Sequence, residues 1–230
     1  MKTKKRILST VASLEQEGEF YLLRVKPKST FRYIAGQFVK IYLDAKSKEF
    51  EPLSFFSAPE EKEILFMFRA SSPFKTALTE KKNGSRIYLE GPYGDFTVSK
   101  TPTNSVLLCK GMGLIPISSI GKSLIDHKKK FSIYILYENL ERKDIVDEER
   151  LVEFDKDKQV NILMTLLNER PMEWPGKLGP ITADMIAEFV PSPKVKDYYI
   201  CGPATFVNRI TDILGELKVP KKRIRSEQWD

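Results

Sequence analysis

The sequence predicts two domains of different class, a β-rich first half followed by an α/β half built on an open parallel sheet. Three observations carry this. Short strand-like runs separated by turn-formers fill residues 1–101, and from residue 102 apolar runs alternate with helical patterns. Between them, Thr101-Pro102-Thr103-Asn104 is a polar breaker that marks the expected boundary.

In the first half the expected strands are 6–14, 19–26, 37–43, 52–57, 64–70 and 85–90, each short and either alternating or aromatic. Many short strands of this kind argue for an antiparallel barrel or sandwich. One helix-like piece at 73–82 interrupts them, with Pro73 suited to a first helical turn. In the second half, strand-like runs at 105–109, 131–137, 160–166 and 197–201 alternate with helical patterns near 116–127, 146–155, 182–189 and 204–217. That alternation is the mark of βαβ units around a parallel sheet. A last strand at 223–226 leads into Glu227-Gln228-Trp229-Asp230.

Composition narrows the class. The chain has 230 residues, 30% charged and 41% hydrophobic, which is ample for a packed core. No run approaches the roughly 18 apolar residues of a membrane span. The basic start, Met1 to Arg6, gives way at Ile7 to strand-like alternation rather than a signal-peptide block. Two cysteines, Cys109 and Cys201, supply neither an iron–sulfur cluster nor a disulfide framework, so a reducing cytoplasm is the expected home. No metal site is expected. The net charge of +7 is uneven, with 18 Lys+Arg against 12 Asp+Glu in residues 1–104 and 20 against 19 in the rest. A basic first half suits an acidic partner or simple solubility. No Arg-rich helix, zinc spacing or basic-aromatic stripe points to nucleic acid.

Three glycine motifs carry the chemistry. Gly91-Pro92-Tyr93-Gly94 ends the last strand of the first half, Gly111-Met112-Gly113-Leu114-Ile115-Pro116 follows the apolar run 105–109, and Cys201-Gly202-Pro203 follows 197–200. A Gly-rich turn between strand and helix lets backbone N–H groups approach a phosphate at the helix start. Two such turns at the carboxyl ends of parallel strands are where an open α/β sheet binds a dinucleotide. This points to a nicotinamide enzyme.

Over nearly its whole length the chain resembles the ferredoxin–NADP reductase-like flavoproteins. Tyr33-Ile34-Ala35-Gly36-Gln37-Phe38-Val39 is similar to their P-G-Q-F/Y-V stretch, Gly91 to Gly94 to their G-P-x-G turn, and Lys110 to Pro116 to their G-G-x-G-I-x-P turn. Residues 144–151 are similar to the region after the second parallel strand. Trp174-Pro175-Gly176 resembles their W-x-G loop, Cys201-Gly202-Pro203 their C-G-P turn, and Glu227-Gln228-Trp229 their terminal E-x-aromatic. The resemblance implies an antiparallel Greek-key β-barrel for flavin over 1–101 and an NAD(P)-binding α/β domain over 102–230, with the active site in the crevice between them. Two departures stand out. Lys110 replaces the first Gly of the nicotinamide turn, and Glu51-Pro52-Leu53-Ser54 replaces R-x-Y-S, so the phosphate-binding Arg and flavin-packing Tyr are missing. Leu53 for Tyr is similar to electron-transfer subunits of dihydroorotate dehydrogenase, and loss of the Arg resembles hydrogenase flavin subunits, without their cysteine-rich tail.

By this resemblance, catalytic groups are Ser54, Cys201 and Trp229, the last stacking over flavin until NAD(P)H displaces it. Cofactor contacts are Pro52, Leu53, Ser54, Phe55, Ser71, Ser72, Lys75, Thr76 and Gly91 for FAD, preferred to FMN, and Gly111, Met112, Gly113, Pro116, Gly202, Pro203 and Glu227 for the dinucleotide. Lys75 is expected to stand in for the missing Arg, Glu51 reads as an exposed carboxylate, and of Phe55 and Phe56 one is expected in the core and one against flavin. His127 reads as a cation at a helix end. Glu138, Asn139 and Glu141 suggest ribose acceptors and NADH rather than NADPH. The function that follows is transfer of electrons from NAD(P)H through FAD to a separate acidic carrier such as ferredoxin or flavodoxin, or to a partner redox subunit. A non-catalytic docking subunit and a free flavin reductase are the alternatives.

Overall fold

The computed structural model describes residues 5–229; Lys2 and Lys4 of the basic start and the terminal Asp230 lie outside the described residues. Contacts divide the chain into two units, residues 1–97 with 118–123, and residues 98–117 with 124–230. Among the described residues no helix is long and apolar enough to cross a membrane.

In the first unit, β1 (Ile7–Glu17), β2 (Phe20–Pro27), β3 (Phe38–Tyr42), β4 (Glu51–Ser54), β5 (Ile64–Phe68) and β6 (Arg86–Tyr93) form one antiparallel sheet. Its order is β4-β3-β6-β1-β2-β5. The sheet curls so that Phe56 N, just past edge strand β4, donates to Leu65 O of edge strand β5 at 2.9 Å, closing a barrel. Alternate side chains point inward, and Leu23, Val39, Ile41, Phe66 and Leu89 build the core. The short helix α1 (Pro73–Thr79) begins where expected, with Ser72 as N-cap accepting from Lys75 N, and stops three residues early.

The second unit is a parallel sheet of β7 (Ser105–Lys110), β8 (Ile133–Asn139), β9 (Val160–Leu166), β10 (Lys177–Leu178), β11 (Asp197–Pro203) and β12 (Ile224–Trp229) in the order β10-β9-β8-β7-β11-β12. Helices α2 (Leu114–Ile125), α3 (Glu148–Asp155), α4 (Ala183–Phe189) and α5 (Ala204–Glu216) connect the strands. The order reverses at β7, with β8 on one side and β11 on the other, which is the switch point where such sheets bind ligands. Strands β7 and β11 are buried almost throughout, so they read as continuous apolar runs rather than alternating ones.

Several boundaries differ from the sequence reading. The segment Thr101 to Asn104 is bonded into the second unit. Thr103 Oγ1 donates to Asp197 at 2.9 Å and Asp197 N to Asn104 O. Helix α2 starts at Leu114, not Pro116, because a proline in the first turn removes only an N–H that lacks a helical acceptor. It ends at Ile125, so His127 lies beyond it, its Nδ1 accepting from Lys129 N. The two-residue β10 was too short to show any period.

Candidate functional site

The glycine turns of the second unit are shaped by one another. Residues Gly111 to Gly113 make a single 3-10 turn between β7 and α2. A Cβ on Gly113 would lie 2.1 Å from Cys201 O, and one on Gly202 would lie 2.9 Å from the Phe206 ring and 3.3 Å from Lys110 Cβ. The ends of β7 and β11 therefore meet only because both positions lack side chains. Gly111 has the opposite reason to be glycine. Its φ is +52° with open space on the Cβ side, so the backbone faces a void that a ligand can enter. Tyr137 of β8, fully buried, fixes this turn by donating to Gly111 O at 3.0 Å while accepting from Val146 N at 3.0 Å. Sequence reasoning missed Tyr137, since a tyrosine in a buried strand looks like ordinary core. Pro116 is buried in α2, and Met112 is half-buried at the turn.

Lys110 is held rather than free. Its Nζ lies 3.0 Å from Glu138 Oε1, and Glu138 is only 1% exposed. The other carboxylate oxygen accepts from Arg209 at 2.6 Å and from Ile181 N at 2.9 Å. One buried carboxylate thus ties β7, β8, α5 and the approach to α4, leaving two cations for one anion. This corrects the expectation that Glu138 and Asn139 offer acceptors to a ribose. Both are buried, and the side-chain amide of Asn139 has no hydrogen-bond partner. Glu141 is paired with Lys143 at 2.8 Å.

The chain's last described strand lies beside the second turn. In β12, Glu227 is opposite Cys201 and Trp229 opposite Pro203, so Trp229 is half-buried in a strand. Burial pushes the Glu227 carboxyl up to about 7. Cys201 and its strand neighbour Cys109 are fully buried, and burial raises both thiols well above their ordinary value. Neither presents a reactive thiolate. The Trp174-Pro175-Gly176 loop lines a cavity of about 360 Å³ with Leu151, Val152 and Met164.

In the first unit three motifs converge on Gln37. Its side chain accepts from Ile34 N at 2.9 Å and donates to Gly94 O at 3.2 Å, while its carbonyl accepts from Phe55 N at 3.0 Å. Phe38 then pairs with Ser54 on one side and Tyr93 on the other, so the ends of β4 and β6 are neighbours of β3. Pro52 is exposed, Ser54 and Gly91 are half-exposed, and Leu53 is buried. Phe55 and Phe56 are both buried, which corrects the expected split. Regular alternation stops at Ser54, and Phe55 stacks on Tyr33 with ring centroids 3.7 Å apart.

Ser71, Ser72, Lys75 and Thr76 gather at the start of α1 as expected, but a carboxylate joins them. Ser72 Oγ donates to Glu51 Oε1 at 2.7 Å, and Lys75 Nζ lies 3.8 Å from Glu51 Oε2 and 3.5 Å from Ser71 Oγ. Thr76 Oγ1 donates to Ser72 O at 3.1 Å. Glu51 is therefore half-buried and bonded, not an exposed carboxylate.

Residues 107–212 match the oxidoreductase NAD-binding domain family. The chain is 24% identical over 212 residues to NADH-cytochrome b5 reductase 1 of Lodderomyces elongisporus, covering 89% of this chain and 71% of that one. It is 23% identical over 232 residues to a probable flavin reductase of Aliivibrio fischeri, covering 96% and 94%. Of several longer reductases it spans about half to two-thirds. Among solved structures, the FAD/NAD-binding domain of a nitric oxide dioxygenase from Vibrio cholerae superposes with a TM-score of 0.84 at 20% identity, covering 97% of this chain and 98% of that one. An antiparallel barrel followed by this parallel sheet is the fold of flavoprotein reductases of the ferredoxin–NADP reductase type, and residues 107–212 carry the NAD-binding domain match.

The residues fit a nicotinamide dinucleotide and a flavin unequally. At the dinucleotide turns, Gly111 leaves room beside the backbone and Lys110 with Arg209 leaves an excess positive charge, both suited to a pyrophosphate. Around Ser72 the donors for a flavin phosphate are present, but a carboxylate already engages them.

Proposed function

We propose that the chain takes a hydride from NAD(P)H held at the Gly111–Gly113 and Cys201–Pro203 turns, passes it to FAD held by the barrel, and delivers electrons to a separate carrier. The observation that carries this is the mutual fit of Gly113, Cys201 and Gly202 at the switch point of the sheet. Bound flavin supplies the conversion of a two-electron hydride into single electrons; the protein supplies alignment and electrostatics. Backbone N–H groups of Gly111, Met112 and Gly113 receive the pyrophosphate. Gly202, which projects no side chain, and Pro203 border the nicotinamide ring, and Trp229, paired beside Pro203, is the aromatic it displaces. Ser54 offers its hydroxyl to the isoalloxazine edge, and Pro52, Leu53 and Gly91 frame it. Glu227, protonated below about pH 7, keeps a negative charge away from the dinucleotide.

The carrier is an acidic protein such as ferredoxin or flavodoxin, or a redox subunit, and the setting is the cytoplasm. The excess of 18 basic over 12 acidic residues in residues 1–104 supports an acidic partner. A second reading, reduction of free flavin as a substrate, is favoured by Glu51 among the phosphate donors and by the end-to-end likeness to a probable flavin reductase.

The test is an anaerobic titration of the protein, supplied with FAD, by NADH and by NADPH. Bleaching of the flavin's visible absorbance at a rate far above that of free FAD is expected. Dinucleotide binding without flavin reduction would leave only the docking role.

A further inference from the structure

We propose that Glu51 is an internal competitor of the flavin's phosphates and makes the flavin of this enzyme exchangeable. The inference rests on the reading of residues 71–76 as the flavin-phosphate turn. The carboxylate accepts from Ser72 Oγ at 2.7 Å and lies 3.8 Å from Lys75 Nζ, so it holds the hydroxyl and ammonium that would otherwise meet a phosphate. Both charged side chains are partly covered, at 17% exposure for Lys75 and 22% for Glu51, which reduces screening of the pair by water. The position is built into the barrel, because Glu51 is the first residue of β4, opposite Ile41 of β3.

A phosphate entering here meets a like charge and must draw Lys75 and Ser72 away from a partner they already have. An isoalloxazine entering alone meets neither cost. The predicted property is therefore selective. Glu51 lowers affinity for the phosphate and leaves the ring and ribityl contacts alone. Riboflavin and FMN differ by the phosphate only, so their relative affinity isolates the effect.

The experiment measures dissociation constants for riboflavin, FMN and FAD by flavin fluorescence quenching in the full chain, the Glu51→Gln and Glu51→Arg variants, with thermal melts to confirm folding. In the parent, FMN is expected to bind within about tenfold of riboflavin, one charge-assisted hydrogen bond being the scale. Glu51→Gln should tighten FMN and FAD by about tenfold, Glu51→Arg by more, with riboflavin changed by less than about twofold. A parent that binds FMN roughly a hundredfold tighter than riboflavin overturns the proposal without any variant. So does a folded Glu51→Gln variant in which all three flavins shift together or none does. Flavin binding with an unchanged ratio removes Glu51's role and leaves the proposed reductase standing; absence of binding by any flavin in the folded parent removes both.

Discussion

Gly113 and Gly111 separate two reasons for a glycine, and substitution should tell them apart. Alanine at 113 would drive a methyl into the Cys201 carbonyl, so the turn or β11 must move. A loss of roughly 1–3 kcal/mol in stability is expected from such overpacking. Dinucleotide affinity, read by quenching on NADH addition, should fall at least about tenfold, an energy of 1.4 kcal/mol. Alanine at 111 meets open space, so its cost to the fold is only the left-handed backbone, about 1–2 kcal/mol, while its methyl takes room from the dinucleotide; Gly111→Ala should weaken binding with less damage to stability than Gly113→Ala. Glu227 gives a pH signature. Its folded value of about 7 lies above the ordinary 4.5, so the folded chain holds an extra proton between those limits. The stability this group contributes is present below about pH 4.5 and fades as pH rises through 7. The melting temperature of Glu227→Gln relative to the parent should therefore rise across that window; a constant difference would show that the carboxyl titrates normally. The glycine motifs were legible in the sequence because chirality restricts what fills such positions. The bonding of Glu51 was not, because its partners lie 21 and more residues away and only the folded barrel brings them to it.

At the scale of elements, Glu138 is the clasp of the parallel sheet. Removing it strands Lys110 and the Ile181 N–H and leaves Arg209 only its bond to Ile181 O, whereas removing Lys110 leaves Glu138 with two donors. Glu138→Gln should cost about 2–4 kcal/mol and Lys110→Met about 1 kcal/mol or less, since both cations are partly solvated. Denaturant melts of the two variants check the order, and equal losses would mean that Lys110 matters as much as the carboxylate. Nearly every strand and helix could be read from hydrophobic period, because buried parallel strands and amphipathic helices leave strong local patterns. The ends were less legible. β6 runs on through Pro92 to Tyr93, and β4 stops at Ser54, because both are set by pairing to β3 rather than by local propensity.

For the whole molecule, the two-domain plan was the most legible feature, since the change from period two to alternating helix and strand requires no knowledge of contacts. Charge is the other property that belongs to this scale. If the basic first half steers an acidic carrier, electron delivery should slow several-fold as ionic strength rises from about 0.02 M to about 0.5 M, while flavin reduction by NADH stays level. Stopped-flow rates with ferredoxin and flavodoxin separate the two steps, and salt-independent delivery to both would assign the charge to solubility alone. The buried cysteines described above have a further use. Both belong to the second unit, the barrel has none, and each thiol is sealed in the sheet with its reactivity suppressed. An alkylating reagent added to the native protein thus records only those moments when the parallel sheet opens. The chain carries its own clock for one half of the molecule, silent about the other, so the opening of the parallel sheet can be followed without a single substitution.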